Sequence, residues 1–408
     1  MAANEVFVFI CTILVFFMTP GLAFFYAGMV SRKNVVNTLM SVFIMCSIPV
    51  LLWVIIGYSL SFSGNYFNII GGLHDFMLHN FNFTAPATAG PISNGSYMLF
   101  QMMFAVITPA LWIGGIVGRM KFKFLILFTI AWCILIYYPL VHIVWGGGFL
   151  QQMGVLDFAG GTVIHINAGI TALVLAIMLG RHHRGKNDKA YNLTWVFLGT
   201  VILWLGWYGF NCGSALAINH IAFQAMLTTT IATATSMLTW IILDVFILGA
   251  PSLMGACTGT LCGLVAITPA CGFVGIGSAI VIGIIATLCS YTFIKYLKPR
   301  LHVDDTLDAF GCHGISGIVG SLLTGLFASK AINPQVKFSG IFAGGSLHQF
   351  WIQLLATTFS IVFVAIMVFL IVLVLKHVTK MRVTPEEETR GLDLSEHKER
   401  IDCDVIND

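Results

Sequence analysis

The chain is poor in charge. Only 9% of its 408 residues are Asp, Glu, Lys or Arg, against roughly 25% in soluble proteins. A water-facing surface cannot be built from so few, which excludes the two or three soluble domains that the length would otherwise suggest. The shortage is sharper than the average. Residues 376–408 hold nine of the seventeen carboxylates (Glu386, Glu387, Glu388, Asp393, Glu396, Glu399, Asp402, Asp404 and Asp408) and six basic residues. The first 375 residues keep 22 charges, about 6%. Together with 58% hydrophobic residues, this describes an integral membrane protein with a short acidic tail. Other absences narrow the class further. No C-x-x-C pair occurs, and Cys11, Cys46, Cys133, Cys212, Cys257, Cys262, Cys289 and Cys312 lie in apolar runs. They read as small buried apolar residues rather than a disulfide framework. No basic stretch precedes the first apolar run, where Glu5 stands instead, so that run is expected to be a retained span and not a cleaved signal peptide. No basic patch stands apart from loop ends, so the net charge of +3 does not point to nucleic acid.

What is present is a series of apolar runs. A helix needs about 20 apolar residues to cross a bilayer. Such runs occur near 7–30, 36–61, 97–117, 123–144, 160–180, 193–213, 221–247, 253–270, 273–296, 310–328 and 347–376. They predict an all-α protein with eleven transmembrane helices. Basic loop residues set the orientation. One set of loops carries Arg32, Lys33, Arg119, Lys121, Lys123, Arg181, Arg184, Lys186, Lys189, Lys295, Lys298 and Arg300, and the opposite set only Lys330 and Lys337. This places the amino terminus outside and the tail in the cytoplasm. The outer 63–95 loop region holds two glycosylation-type triplets, at Asn82 and Asn94. If spans 1–5 and 6–10 are repeats, the odd count inverts the second half, as in many transporters with midplane substrate sites.

Ionisable residues inside spans are costly and point to function by default. The candidates are Asp157, His165, Asp244, Asp308 and His313, with His142 and His348 near outer span ends. His165 lies on span 5, roughly 12 Å beyond Asp157, and His313 lies roughly 10 Å into span 10. Antiparallel helices with these offsets bring both imidazoles to a similar depth. Gly160, Gly161 and Gly169 flank one, and Gly311, Gly314, Gly317 and Gly320 the other. Such glycines allow close helix approach. Two readings follow. The imidazoles line a narrow pore as a neutral pair, or they are separate histidines hydrogen-bonded to neighbouring helices. Asp157 is expected to cap span 5 and accept its free amides. Asp308 is expected to cap span 10 in the same way, with Asp304 and Asp305 facing the cytoplasm. Asp244 has no assigned role. Trp145, before Gly146-Gly147-Gly148, and Phe210, before Asn211-Cys212-Gly213-Ser214, stand at outer span ends. An indole face and a hydroxyl there suit a small cation with hydrogen-bond donors, although on these residues alone packing is the better reading of such aromatics.

At this point longer motifs become decisive. Asp157-Phe-Ala-Gly-Gly-Thr-Val-Ile-His165-Ile-Asn167 resembles the signature of the ammonium transporter family (Amt/Mep/Rh), in its Amt branch. So do Phe210-Asn-Cys-Gly-Ser214-Ala, Pro251-Ser-Leu-Met-Gly-Ala-Cys257, Thr268-Pro-Ala-Cys271-Gly and Asp304-Asp-Thr-Leu-Asp308-Ala-Phe-Gly-Cys-His313-Gly. The resemblance runs from about residue 5 to residue 397. It implies a homotrimer with eleven spans and one pore per subunit, in the cell membrane. Residues 1–377 would be the transport domain and 378–408 its cytoplasmic tail. By the same resemblance, Trp145, Phe104 and Ser214 would form the outer ammonium site, and Phe104 and Phe210 the gate beneath it. His165 and His313 would be the twin histidines of the pore. Asp157 would serve recruitment or deprotonation. No cofactor is implied. The tail and cytoplasmic loops would dock a PII-type regulatory protein, although a tail this acidic also reads as a free solvated segment.

Two other classes compete. One is an ammonium sensor with the same fold that signals through its tail. The other is a membrane enzyme in which the two in-span histidines ligate haem or a metal, for which no further ligand spacing appears.

Overall fold

A computed structural model describes residues 2–79, 81–183 and 189–401. Arg184, Lys186, Asp402, Asp404 and Asp408, used in the charge distribution above, lie outside the described residues. The protein is an all-helical, multi-pass membrane protein. Its apolar helices are α1 (Ala2–Met29), α2 (Arg32–Phe62), α3 (Asn94–Gly115), α4 (Phe122–Met153), α5 (Gly161–Leu179), α6 (Leu193–Gly213), α7 (His220–Leu248), α8 (Leu253–Ile267), α9 (Ile276–Leu301), α10 (Phe310–Phe327) and α11 (His348–Lys376). Ten are long and apolar enough to cross a membrane; α8, with 15 residues, is shorter. At 1.5 Å per residue α8 spans about 22 Å. Each of the eleven predicted runs therefore forms a helix, ten at full spanning length.

Burial separates centre from periphery. The most apolar stretch of α3 is 94% buried, against 28% for α2, α7 and α11. The outer helices turn Phe9, Phe17, Phe223, Phe246 and Val374 outward, as lipid-facing surfaces require. Prolines locally remodel the helices. Wide π turns at Cys133–Tyr137 in α4 and Phe293–Leu297 in α9 immediately precede Pro139 and Pro299. Widening the turn relieves the clash between a proline ring and the carbonyl four residues back.

Two of the pairs that would correspond in five-span halves pack together, the first helix with the sixth and the fifth with the tenth. The helix α1 runs against α6, where a Cβ at Gly199 would lie 2.5 Å from the Phe25 nitrogen. The helix α5 meets α10 backbone to backbone, with Gly169 directly on Gly314. Of the glycines expected to form this face, Gly169, Gly314 and Gly317 lie in the contact, whereas Gly161 packs on Pro269, Gly311 on Ile294 and Gly320 on Ala266. Outside both halves, α11 packs across α5 and α10. Asp244 also finds a role: it accepts hydrogen bonds from Ser252 (2.7 Å) and Tyr291 (3.2 Å), while Ser252 caps α8 through the Gly255 N–H. A buried carboxylate thus ties α7, α8 and α9 together.

The segment after α11 folds back over the end that carries the basic loop residues. The Arg382 guanidinium donates to the carbonyls of Leu179 (2.6 Å) and Arg181 (2.7 Å). Lys121 bridges Glu387 (2.6 Å) and Glu396 (2.9 Å). The short helix α12 (Pro385–Arg390) starts in a capping box between Thr384 and Glu387. Asp393 accepts the Asn37 N–H at 2.8 Å. Residues 378–401 are therefore docked, and the free solvated reading fails for them. Its acids meet the basic loop ends, a complementarity that composition alone does not reveal.

Candidate functional site

Asp157 stands in the link before α5 and is buried. Its carboxylate accepts four backbone N–H groups: Gly160 (2.9 Å), Gly161 (2.6 Å), Thr162 (2.8 Å) and Val163 (3.1 Å). These are the donors that a helix start leaves without partners. Gly160 supplies the φ of +124° that this tight entry needs. The first turn of α5 is a π turn, Gly161–Ile166, and it carries His165. The expected capping role of Asp157 is met in full.

The same device opens α10, but through a different residue from the one predicted. Asp305 is buried and accepts the N–H groups of Ala309 (3.0 Å), Phe310 (2.8 Å) and Gly311 (3.4 Å). The turn that follows, Phe310–Ile315, is again π-helical and carries His313. Asp308, expected to be the cap, instead pairs with Lys298. Asp305, expected to face the cytoplasm, is fully enclosed. A signal was available: 157 precedes 165 by eight residues, and 305 precedes 313 by eight. Asp304 does lie partly open, held by His182 at 2.8 Å and close to Arg119. Burial opposes its ionisation, but the His182 hydrogen bond and the Arg119 charge outweigh that and hold the carboxyl well below its usual range.

Between these two caps lies a column of rings. Trp145 meets Phe104 edge to face at 6.1 Å. Phe104 stacks on Phe210 at 4.3 Å and 20°. Phe210 lies 6.0 Å from His165, and His165 stacks on His313 at 5.4 Å and 8°. Trp207, which sequence reasoning did not single out, flanks His165 at 5.3 Å, nearly parallel. Its indole N–H is held by the Thr268 hydroxyl at 2.8 Å. Both ring nitrogens of His165, and Nδ1 of His313, are buried without a hydrogen-bond partner. The two histidines are thus one near-parallel pair, and these three nitrogens are not satisfied by neighbouring helices. Leaving a buried polar group unpaired costs about 1–3 kcal/mol, so a site that keeps three such atoms is suited to a small hydrogen-bonding guest.

A cavity of about 610 Å³ opens above the column, at the end opposite the basic loops. Phe104, Trp145, Asp157 and Ser214 line it, so all four vestibule residues named from the sequence come together. The Ser214 hydroxyl donates to the Phe210 carbonyl at 2.9 Å, which leaves its oxygen free to accept. The Trp145 indole N–H is held at 2.9 Å by the Asp157 carbonyl. The Asp157 carboxylate is occupied by its four amides. A second cavity, about 490 Å³, opens at the basic end beside His182, Lys298 and Asp304. Among the described residues, no three His, Cys, Asp or Glu side chains converge as a metal site would need.

Residues 6–401 match the family model described as Ammonium Transporter Family. The chain belongs to the ammonium transporter family. Among curated proteins, it is 43% identical over 398 residues to an ammonium transporter of Bacillus subtilis, covering 97% of this chain and 98% of that one. It is likewise 43% identical to a putative ammonium transporter of Methanothermobacter thermautotrophicus, covering 96% of each. Among solved structures, Saccharomyces cerevisiae Mep2 superposes with a TM-score of 0.87 at 31% identity, covering 94% and 90% of the two chains. A structure titled Sensor Amt Protein superposes with a TM-score of 0.89 at 29% identity, covering 97% and 98%. As a member of the ammonium transporter family, the chain has a fold and a likeness that run nearly end to end.

Proposed function

We propose that this ammonium transporter recruits the cation, releases its proton to water in the vestibule and passes neutral ammonia, with or without separate transfer of the proton across the membrane, before water on the far side reprotonates it. The vestibule bounded by Trp145, Phe104 and Ser214 receives NH4+ through a ring face and a hydroxyl acceptor. The buried Asp157 anion favours arrival of a cation and assists release of its proton. Phe104 and Phe210 close the way below, and their stacked rings must part for passage. Beyond them the His165–His313 pair offers unpaired ring nitrogens to a neutral, hydrogen-bonding guest. A dry apolar column penalises any bare ion. Ammonium sheds its proton to enter, whereas potassium, of similar size and equal charge, cannot. The single observation that carries this reading is the stacked imidazole pair with unpaired nitrogens beneath an aromatic lid.

In the same reading, residues 1–377 are the transport domain, which works in the cell membrane as a homotrimer with one pore per subunit. The amino terminus is outside, and residues 378–408 form the cytoplasmic tail. The docked tail and the basic loops make the face that a PII-type regulator would meet. Electrophysiology on supported membranes with ammonium, methylammonium and potassium tests the proposal. Uptake, and any current from a separately carried proton, should follow ammonium and not potassium, and His165→Ala/His313→Ala should abolish that discrimination. Ammonium currents that persist unchanged in the double variant would remove the imidazoles from the mechanism. The likeness to a sensor Amt protein supports a second reading, binding coupled to signalling; saturable ammonium binding without current or uptake would favour it.

A further inference from the structure

The helix that belongs to neither five-span half makes the most specific contact with the vestibule. Gln353, on α11, is completely buried. Its amide oxygen accepts the Leu156 N–H at 2.8 Å, and its amide nitrogen donates to the Leu156 carbonyl, also at 2.8 Å. Only one orientation of the amide satisfies both bonds, so its assignment is fixed by the backbone it grips. The same nitrogen reaches the Ser321 hydroxyl on α10 at 3.2 Å, and Thr357, one turn further along α11, donates to that hydroxyl at 3.0 Å. One turn earlier, Gln349 donates to the Gly154 carbonyl at 3.0 Å.

Leu156 is the residue before Asp157. The Asp157 carbonyl holds the Trp145 indole, and the Asp157 carboxylate gathers the amides that start the His165 helix. Beyond the turn at Gly154 that closes α4, residues 155–157 belong to no helix or turn. A peptide gripped on both its N–H and its C=O has little freedom to rotate, and rotation at Leu156 would turn the next carbonyl away from Trp145. We propose that Gln353 is the positioning residue of the recruitment site. By clamping both backbone groups of Leu156 it sets the direction of the Asp157 carbonyl and through it the plane of the Trp145 ring, while Ser321 joins the clamp to the helix that bears His313. The proposal rests on Trp145 being a recruitment residue, and it gives α11 a function in substrate affinity as well as in packing. Gln353 touches no substrate.

The test is initial-rate uptake of labelled methylammonium by the full-length protein in membranes, normalised to the amount of transporter present. Loss of one such bond to a buried backbone group corresponds to about a tenfold effect. Gln353→Leu should therefore raise the half-saturation concentration about tenfold, while the maximal rate per transporter changes less than about twofold. In Trp145→Leu/Gln353→Leu the half-saturation should equal that of Trp145→Leu alone, because Gln353 acts through that ring. Effects that multiply would show a general packing role and overturn the proposal, as would an unchanged half-saturation in Gln353→Leu. If the leucine variant fails to reach the membrane, Gln353→Glu decides. It keeps the acceptor for the Leu156 N–H and loses the donor to the Leu156 carbonyl, so a normal half-saturation there overturns the clamp. Trp145→Leu alone tests the underlying reading: if it leaves half-saturation unchanged, recruitment at Trp145 is wrong whatever Gln353 does.

Discussion

Two helix starts in this protein solve the same problem in opposite surroundings. Asp157 and Asp305 each gather the free amides of a π turn, and each stands eight residues before a histidine of the buried pair. Asp157 faces the vestibule cavity, and its hydrogen bonds are all from backbone amides. Asp305 sits among charges: Lys298 donates to its carbonyl and pairs with Asp308, and Asp304 beside it binds His182. The comparison separates two uses of one motif. Both carboxylates are satisfied by backbone amides. Asp157 lines a cavity, whereas Asp305 is enclosed beside the Lys298–Asp308 pair.

The largest expected effect breaks that equivalence. Asp157→Ala leaves four amides without acceptors and removes the one acidic side chain among the described residues that line the vestibule, so normalised methylammonium uptake should fall at least about a hundredfold. Asp305→Ala should lower the thermal midpoint in detergent by a comparable amount, yet reduce uptake by only about tenfold. Equal uptake losses would mean that both aspartates act only as caps. A second effect concerns pH. Burial, reinforced by Asp308, pushes the Asp305 carboxyl from 3.8 up to about 6. A raised carboxyl favours the folded state in its protonated form. That stability is present below about 4 and lost as pH rises through 6. The thermal midpoint of the native protein should therefore fall across this window relative to Asp305→Asn, which has nothing to titrate there. Parallel curves would contradict the assignment. The smallest effect is Thr384→Ala, which removes the α12 capping box at a cost of about 1 kcal/mol. Protease cleavage after residue 377 should quicken modestly while uptake half-saturation, set at the opposite end, stays the same. A shifted half-saturation would show that the two ends are coupled.

The apolar runs made the helices legible, because a bilayer demands long uninterrupted stretches whatever else the chain does. The twin histidines were legible for a related reason: imidazoles at mid-span stand out against apolar neighbours. Asp305 was misread because three aspartates lie within five residues, and nothing local says which one turns inward; only the matching eight-residue offset to the histidine does. The π turns left no trace, since helices apolar on most sides give no periodicity to distort. Gln349 and Gln353 give no signal in the sequence, because they bond to backbone, which carries no sequence label. The docked tail was ambiguous because acidic composition describes a solvated segment and a docked one equally well.

A π turn is an α-helix with one residue too many, and each α-helical residue rotates the chain by about 100°. Excising any one residue between Gly161 and Ile166 would let α5 close into an ordinary helix and swing everything on one side of the cut by that angle. His165 would then lose both Phe210 and His313. The alignment of the column is thus stored as a residue count: here the chain must keep its length as strictly as its side chains, whichever residue happens to occupy the extra place.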